Sequence, residues 1–154
     1  MNESDTFNPP RPLRTPVLFL VFNRLDTTKQ VFEAIRQAKP PRLYVAADGP
    51  RADRPGEDKK VQAVRDYILS SIDWGCEVKT LFRDENLGCK LAVSSAIDWF
   101  FSHVEEGIIL EDDCVPDQSF FPFCQELLER YRDDKRIMMI SGTNYLFNKI
   151  EVKE

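Results

Sequence analysis

Glu111-Asp112-Asp113 follow the apolar run Gly107-Ile108-Ile109-Leu110, and β-branched residues after a glycine read as a buried strand. Three adjacent carboxylates at the end of such a strand repel one another, so the fold gains nothing from them unless a cation sits there. Oxygen donors of this kind suit a hard divalent ion, Mn²⁺ or Mg²⁺, which in turn can hold a diphosphate. A solvated acidic turn ahead of Pro116 is the simpler account of a lone triplet. Other polar groups weigh against that simpler account, because each also follows an apolar run: Asn23 and Arg24, then Asp48 and Gly49, then Asn86. In a parallel α/β sheet the carboxyl ends of the strands share one edge, and ligands bind in the crevice outside it. There Arg24 supplies a cation for phosphate. Asp48, acceptor-only when ionised, can take hydrogen bonds from a base or ribose. Arg51 and Arg54 lie in a charged stretch and read as solvated.

The elements that must position these groups alternate between strand and helix. Residues 17–22 form an apolar strand. The next helix has Thr27 and Gln30 as a capping box, Val31, Phe32, Ile35 and Ala38 on one face, and Pro40-Pro41 as its stop. A second strand covers residues 43–47, residues 51–58 read as an exposed loop, and Val61, Val64, Ile68 and Ile72 mark a second helix. The third strand, residues 76–82, leads to a helix that carries Val93, Ala96, Ile97, Phe100 and Val104 inward. After the acids a fourth helix is expected, with Phe120, Phe123, Leu127 and Tyr131 buried and Pro122 in its first turn. A fifth strand at residues 137–140 ends in Ser141-Gly142-Thr143-Asn144. Such β-α-β units predict an α/β fold of three layers, α/β/α, around a mostly parallel sheet. Residues 1–15 read as a loose arm, 16–148 as the domain and 149–154 as a charged tail.

Composition narrows the function classes. The chain has 154 residues, 42% hydrophobic and 31% charged, with a net charge of −5. That balance suits a globular domain and gives no electrostatic footprint for nucleic acid. The longest apolar run falls far short of the ~20 residues of a membrane helix, and the N-terminal stretch lacks the apolar core of a secretory signal. Cys76, Cys89, Cys114 and Cys124 show no close-paired metal spacing, and the single histidine, His103, falls at a helix end; a zinc site is not expected. Scattered thiols suit a reducing cytoplasm, with a membrane-peripheral placement compatible. Neither G-x-G-x-x-G nor G-x-x-x-x-G-K-[ST] occurs. A diphosphate would therefore rest on a metal and arginine rather than on a glycine-rich loop.

Together these residues resemble the nucleotide-sugar-binding half of a GT-A-fold glycosyltransferase, in particular the N-acetylglucosaminyltransferase I-like group. The resemblance rests on Phe22-Asn23-Arg24, on Ala47-Asp48-Gly49, and above all on Ile109-Leu110-Glu111-Asp112-Asp113 with Pro116-Asp117 and Phe120-Phe121 following. Ile140-Ser141-Gly142-Thr143-Asn144 also fits, so most of residues 17–144 is covered. It implies a Rossmann-like donor domain and transfer of a hexosyl or N-acetylhexosaminyl group. The donor would be a nucleoside-diphosphate sugar such as a UDP-sugar, used with Mn²⁺. The acceptor would be a hydroxyl on a saccharide, a lipid-linked species or a protein. It implies that Asp113 ligates the metal, that Glu111 and Asp112 orient ribose and sugar, and that Asp48 contacts the base. Arg24 and the preceding Asn23 would meet the donor, and Asn86 with Leu87 and Gly88 would line its pocket.

Enzymes of that group continue into an acceptor-binding half, which carries the catalytic base of inverting members. No residue up to Glu154 matches that base. The sequence is therefore expected to continue further, and a half domain is expected to expose apolar surface near Tyr145-Leu146-Phe147 and to self-associate. A nucleotide-sugar-binding module without turnover is the second reading of the same crevice. A phosphoacceptor receiver domain needs acids after the first strand and a lysine after the fifth. A haloacid-dehalogenase-type phosphatase needs an aspartate nucleophile after the first strand. Asn23-Arg24 and Ser141-Gly142 stand at those places instead.

Overall fold

The structure, a computed structural model, describes residues 11–142. Strands and helices alternate as β1 (Val17–Val21), α1 (Leu25–Ala38), β2 (Arg42–Ala47), α2 (Glu57–Ser71), β3 (Glu77–Phe82), α3 (Gly88–Phe101), β4 (Ile108–Glu111) and α4 (Phe120–Tyr131). The four strands form one parallel sheet in the order β3-β2-β1-β4. This is the Rossmann-like α/β/α arrangement that the alternation of elements predicts.

β1 is buried along its whole length, as its uninterrupted apolar run requires of a parallel strand covered on both faces. Side chains alternate between two layers. Val17, Phe19 and Val21 pack with Leu43 and Val45 against α1, α2 and α4 through Phe32, Ile35, Ile68 and Phe121. Leu18 and Leu20 face the other way with Tyr44, against Ala96 and Phe100 of α3. The register places Leu20 beside both Ala46 and Glu111, and Ala47 beside Phe82, so all four strands end nearly level. β1, β2 and β3 succeed one another in one direction, and β4 then returns to the other side of β1. That reversal makes the β1/β4 gap the topological switch point, where open α/β sheets place their ligands.

Four expectations need correction. Residues 137–140 form no strand, and Met138 and Met139 are 97% and 85% exposed. The segment has the apolar composition of a strand, but β propensity is realised only against a ladder partner and a packing surface. Helix α1 starts at Leu25, so Thr27 and Thr28 lie inside it and donate their hydroxyls to the Arg24 carbonyl at 3.2 and 2.7 Å; no capping box forms. Helix α4 buries Phe121 and Cys124 and leaves Phe123 and Tyr131 exposed. Its aromatic-rich start offers two overlapping apolar stripes, and the sheet takes the one through Phe121. Glu57, assigned to an exposed loop, opens α2 and is buried.

Ahead of β1, Leu13 packs against the core and the Arg14 amide donates to Gln125 Oε1 at 2.6 Å. Among the described residues no helix is long and apolar enough to cross a membrane. Thr143-Asn144, Tyr145-Leu146-Phe147 and the tail 149–154 lie outside the described residues.

Candidate functional site at the strand exits

On the β1/β4 side the chain leaves β4 at Glu111, and Asp112 turns back beneath the sheet edge. Its side chain is only 5% exposed. Asp112 Oδ2 accepts from the Phe22 amide at 3.3 Å, and Oδ1 accepts from Arg24 Nη2 at 2.6 Å. The same Nη2 stands 3.0 Å from Asp113 Oδ2. One guanidinium nitrogen thus bridges two consecutive acids. Burial pushes the Asp112 carboxyl above its ordinary range, against the pull of the Arg24 charge and the Phe22 amide; desolvation outweighs the pairing. The Asp112 charge in turn raises the Arg24 guanidinium.

The β2/β3 side is built from backbone. The Asp48 carboxylate accepts the amides of Gly49, Leu87 and Gly88, each at 3.0 Å. Leu87 and Gly88 open α3, whose N-cap Leu87 brings no side-chain cap of its own. Asp48 therefore fills the anion site that a helix N-terminus offers. Asn86 Nδ2 donates to the Gly49 carbonyl at 2.8 Å. A Cβ on Gly49 would fall within 2.6 Å of the Glu85 amide nitrogen and carbonyl oxygen, so only glycine permits this approach. Behind the wall, Arg65 Nη2 donates to the Asp48 and Arg83 carbonyls at 3.1 and 2.6 Å, with its guanidinium 4.9 Å from the Phe82 ring centre. Burial lowers the Arg65 guanidinium.

Glu57 joins the two sides. Its Oε1 accepts from Asn23 Nδ2 at 2.9 Å, and its Oε2 accepts from the Arg51 amide at 2.8 Å. It also forms an ion pair with Arg51 Nη2. The Arg51 guanidinium lies 5.7 Å from the centre of the Phe22 ring. Hydrogen bonds from Arg51 hold the Glu57 carboxyl down to about 2. Arg51 is thus paired, where its charged surroundings suggested free solvation.

Arg24, Asp48, Asn86, Glu111 and Asp112 line one cleft of about 380 Å³, together with Phe22, Arg51, Arg83 and Gly88. Asn23 turns aside to Glu57, and Asp113 reaches the cleft through Arg24. Glu57, Arg51 and Arg65 are what the sequence reading missed. The signal for Glu57 was an acid placed directly after Gly56 at the head of a helix, where acids favour the helix dipole. A larger groove of about 790 Å³ opens at the opposite edge, beside Arg14, Arg42, His103 and Arg132. There Arg132 is paired with Glu106 and Gln125 is taken by the Arg14 amide. The smaller cleft is the better site because it occupies the switch point and gathers groups from every strand exit.

Among the described residues no three His, Cys, Asp or Glu side chains converge on a common metal position. Asp113 is the available donor, because both Asp112 oxygens are taken by Arg24 and the Phe22 amide. A hard cation that keeps its waters and binds substrate phosphates needs only one or two carboxylates. The donor set therefore fits a cation held jointly with a diphosphate, and does not fit a closed protein cage. No protein-family model matches this chain, and no curated protein does.

Proposed function

We propose that the chain is the donor-binding part of a metal-dependent glycosyltransferase of the GT-A type. In this reading it transfers a hexosyl or N-acetylhexosaminyl group from a nucleoside-diphosphate sugar to a hydroxyl acceptor. The observation that carries the reading is the meeting of Arg24 with Asp112 and Asp113 across the β1/β4 switch point. A cation held by Asp113 would supply Lewis-acid neutralisation of the departing diphosphate. Arg24 would bind the diphosphate and Glu111 would face the donor from the sheet edge. The β2/β3 wall, fixed by Asp48 and Asn86, would shape the pocket for the nucleoside. Free Cys76, Cys89, Cys114 and Cys124 support a reducing, cytoplasmic setting.

A binding module without turnover is favoured by one observation: Asp48 is occupied by backbone amides, and Asp112 by Arg24 and the Phe22 amide. Both carboxylates expected to touch the donor thus serve the fold, which suits a preformed binding cleft.

A thermal-shift titration tests the reading. Ligand at a hundredfold excess over Kd stabilises by about 2.7 kcal/mol, and each kcal/mol is worth ~2–4 °C in a domain of this size. Mn²⁺ with UDP or another nucleoside diphosphate is expected to raise Tm by that order, and either alone by less. Asp113→Asn is expected to abolish the synergy. An equal shift in both proteins, or none in the wild type with any nucleotide, would return the acids to a solvated turn. Release of UDP from UDP-hexose separates the enzyme from the module.

A further inference from the structure

We infer that Arg24 is an exchangeable counter-ion that couples the binding of a divalent cation to the binding of a nucleoside diphosphate; this rests on the donor-site reading above. Its two acidic contacts are unequal. Asp112 is buried and has its second oxygen on the Phe22 amide, so losing Arg24 there would strand a buried charge, which is strongly unfavourable. Asp113 is 43% exposed, and among the described residues its carboxylate meets, beyond Arg24, only the Cys114 thiol at 3.6 Å. Water replaces the Arg24–Asp113 contact cheaply. That contact is the exchangeable one.

The backbone at Arg24 is fixed. Its carbonyl accepts both the Thr28 amide, at 3.0 Å, and the Thr28 hydroxyl, at 2.7 Å, at the head of α1. Exchange is thereby confined to the side chain. Among the described residues only Nη2 of the guanidinium is engaged, although the group has five N–H donors in a fixed fork. The remaining donors can take phosphate oxygens while Nη2 stays on Asp112.

The coupling follows from competition. A cation arriving alone must displace Arg24 from Asp113. A diphosphate arriving alone finds Arg24 already neutralised by two carboxylates. When both arrive, Asp113 passes from Arg24 to the cation and Arg24 turns to the phosphates, so each ligand removes the obstacle to the other. Such coupling is reciprocal and typically amounts to ~5–150-fold in affinity.

The experiment is calorimetric titration of Mn²⁺ into wild type, Arg24→Gln and Arg24→Lys, with and without saturating UDP. Arg24→Gln is expected to bind Mn²⁺ alone at least about fivefold more tightly than wild type, and UDP is expected to close that gap. Arg24→Lys keeps the charge on a single nitrogen, which cannot serve an acid and a phosphate in forked geometry. It should bind Mn²⁺ alone as wild type does and show weaker coupling, which keeps the test readable if Arg24→Gln fails to fold. Contact exchange should persist from ~0.01 M to ~1 M salt, over which the Debye length falls from ~30 to ~3 Å; a long-range field effect would fade. UDP binding to wild type without any gain in Mn²⁺ affinity in Arg24→Gln overturns the exchange. Failure of the donor-site reading looks different: no nucleoside diphosphate binds the wild type at all.

Discussion

Asn23 and Glu57 are joined side chain to side chain at 2.9 Å across 34 residues of sequence, which ties the exit of β1 to the head of α2. Glu57 also holds Arg51, and its carboxyl is lowered from an ordinary 4.5 to about 2. A carboxyl depressed in the folded state gives stability that is present above its unfolded pKa and is lost as pH falls through its folded pKa. The window here runs from about 4.5 down to about 2. Glu57→Gln should therefore melt below wild type at neutral pH and lose less on acidification through that window. Melting curves across the acid range check this; parallel declines would remove Glu57 as the source.

Asp48 serves α3 as a cap supplied from β2, 40 residues earlier in the chain. Asp48→Ala should cost about 1–2 kcal/mol, the usual loss when a helix cap is removed. It should also speed hydrogen exchange at the Leu87 and Gly88 amides. Asp48→Asn, which keeps one acceptor oxygen, should lose less. Unchanged protection at both amides in Asp48→Ala would contradict the capping role.

Gly49→Ala presses a methyl group against the backbone of Glu85, which cannot move aside as a flexible side chain can. A loss of about 1–3 kcal/mol is expected, the range for overpacking. Weaker UDP-dependent stabilisation should accompany it as residues 83–88 shift. A variant that keeps the wild-type Tm and nucleotide response would mean that the two exits are not in contact.

Phe121 and the Met138-Met139 pair give opposite forecasts. Phe121 is 2% exposed, and Phe121→Ala should cost about 3–5 kcal/mol. Met138→Ser with Met139→Ser should stay within ~0.5 kcal/mol of wild type, as exposed substitutions do. Chemical denaturation distinguishes them. A cost for the methionine pair near that of Phe121 would put residues 137–140 in a buried strand after all.

The strands were readable because β1 and β2 are continuous apolar runs with punctuation at both ends, and the acids were readable because charge after such a run is conspicuous. Arg24, Asp48 and Asn86 were found by their position after a strand rather than by any motif. What escaped was non-local. Glu57 sits in a run of charges and reads as solvated until Asn23 and Arg51 are brought to it. Asp48 as a cap for α3 needs β2 and β3 to be neighbours. Residues 137–140 failed as a strand for the same reason in reverse, since composition supplies propensity but no partner.

Among the described residues β4 is paired on one side only, to β1. An open strand edge is a template on which a foreign strand can form. β4 offers only four residues, the last of them the exposed Glu111, and the exposed Asp113 follows, so charge stands where a second strand would have to continue. These two acids act as gatekeepers of that edge. Neutralising both at once removes that protection, and the protein should precipitate more readily for reasons unrelated to any cation. A silent acid-neutralised variant is informative about the cleft only once it has been shown to be monodisperse.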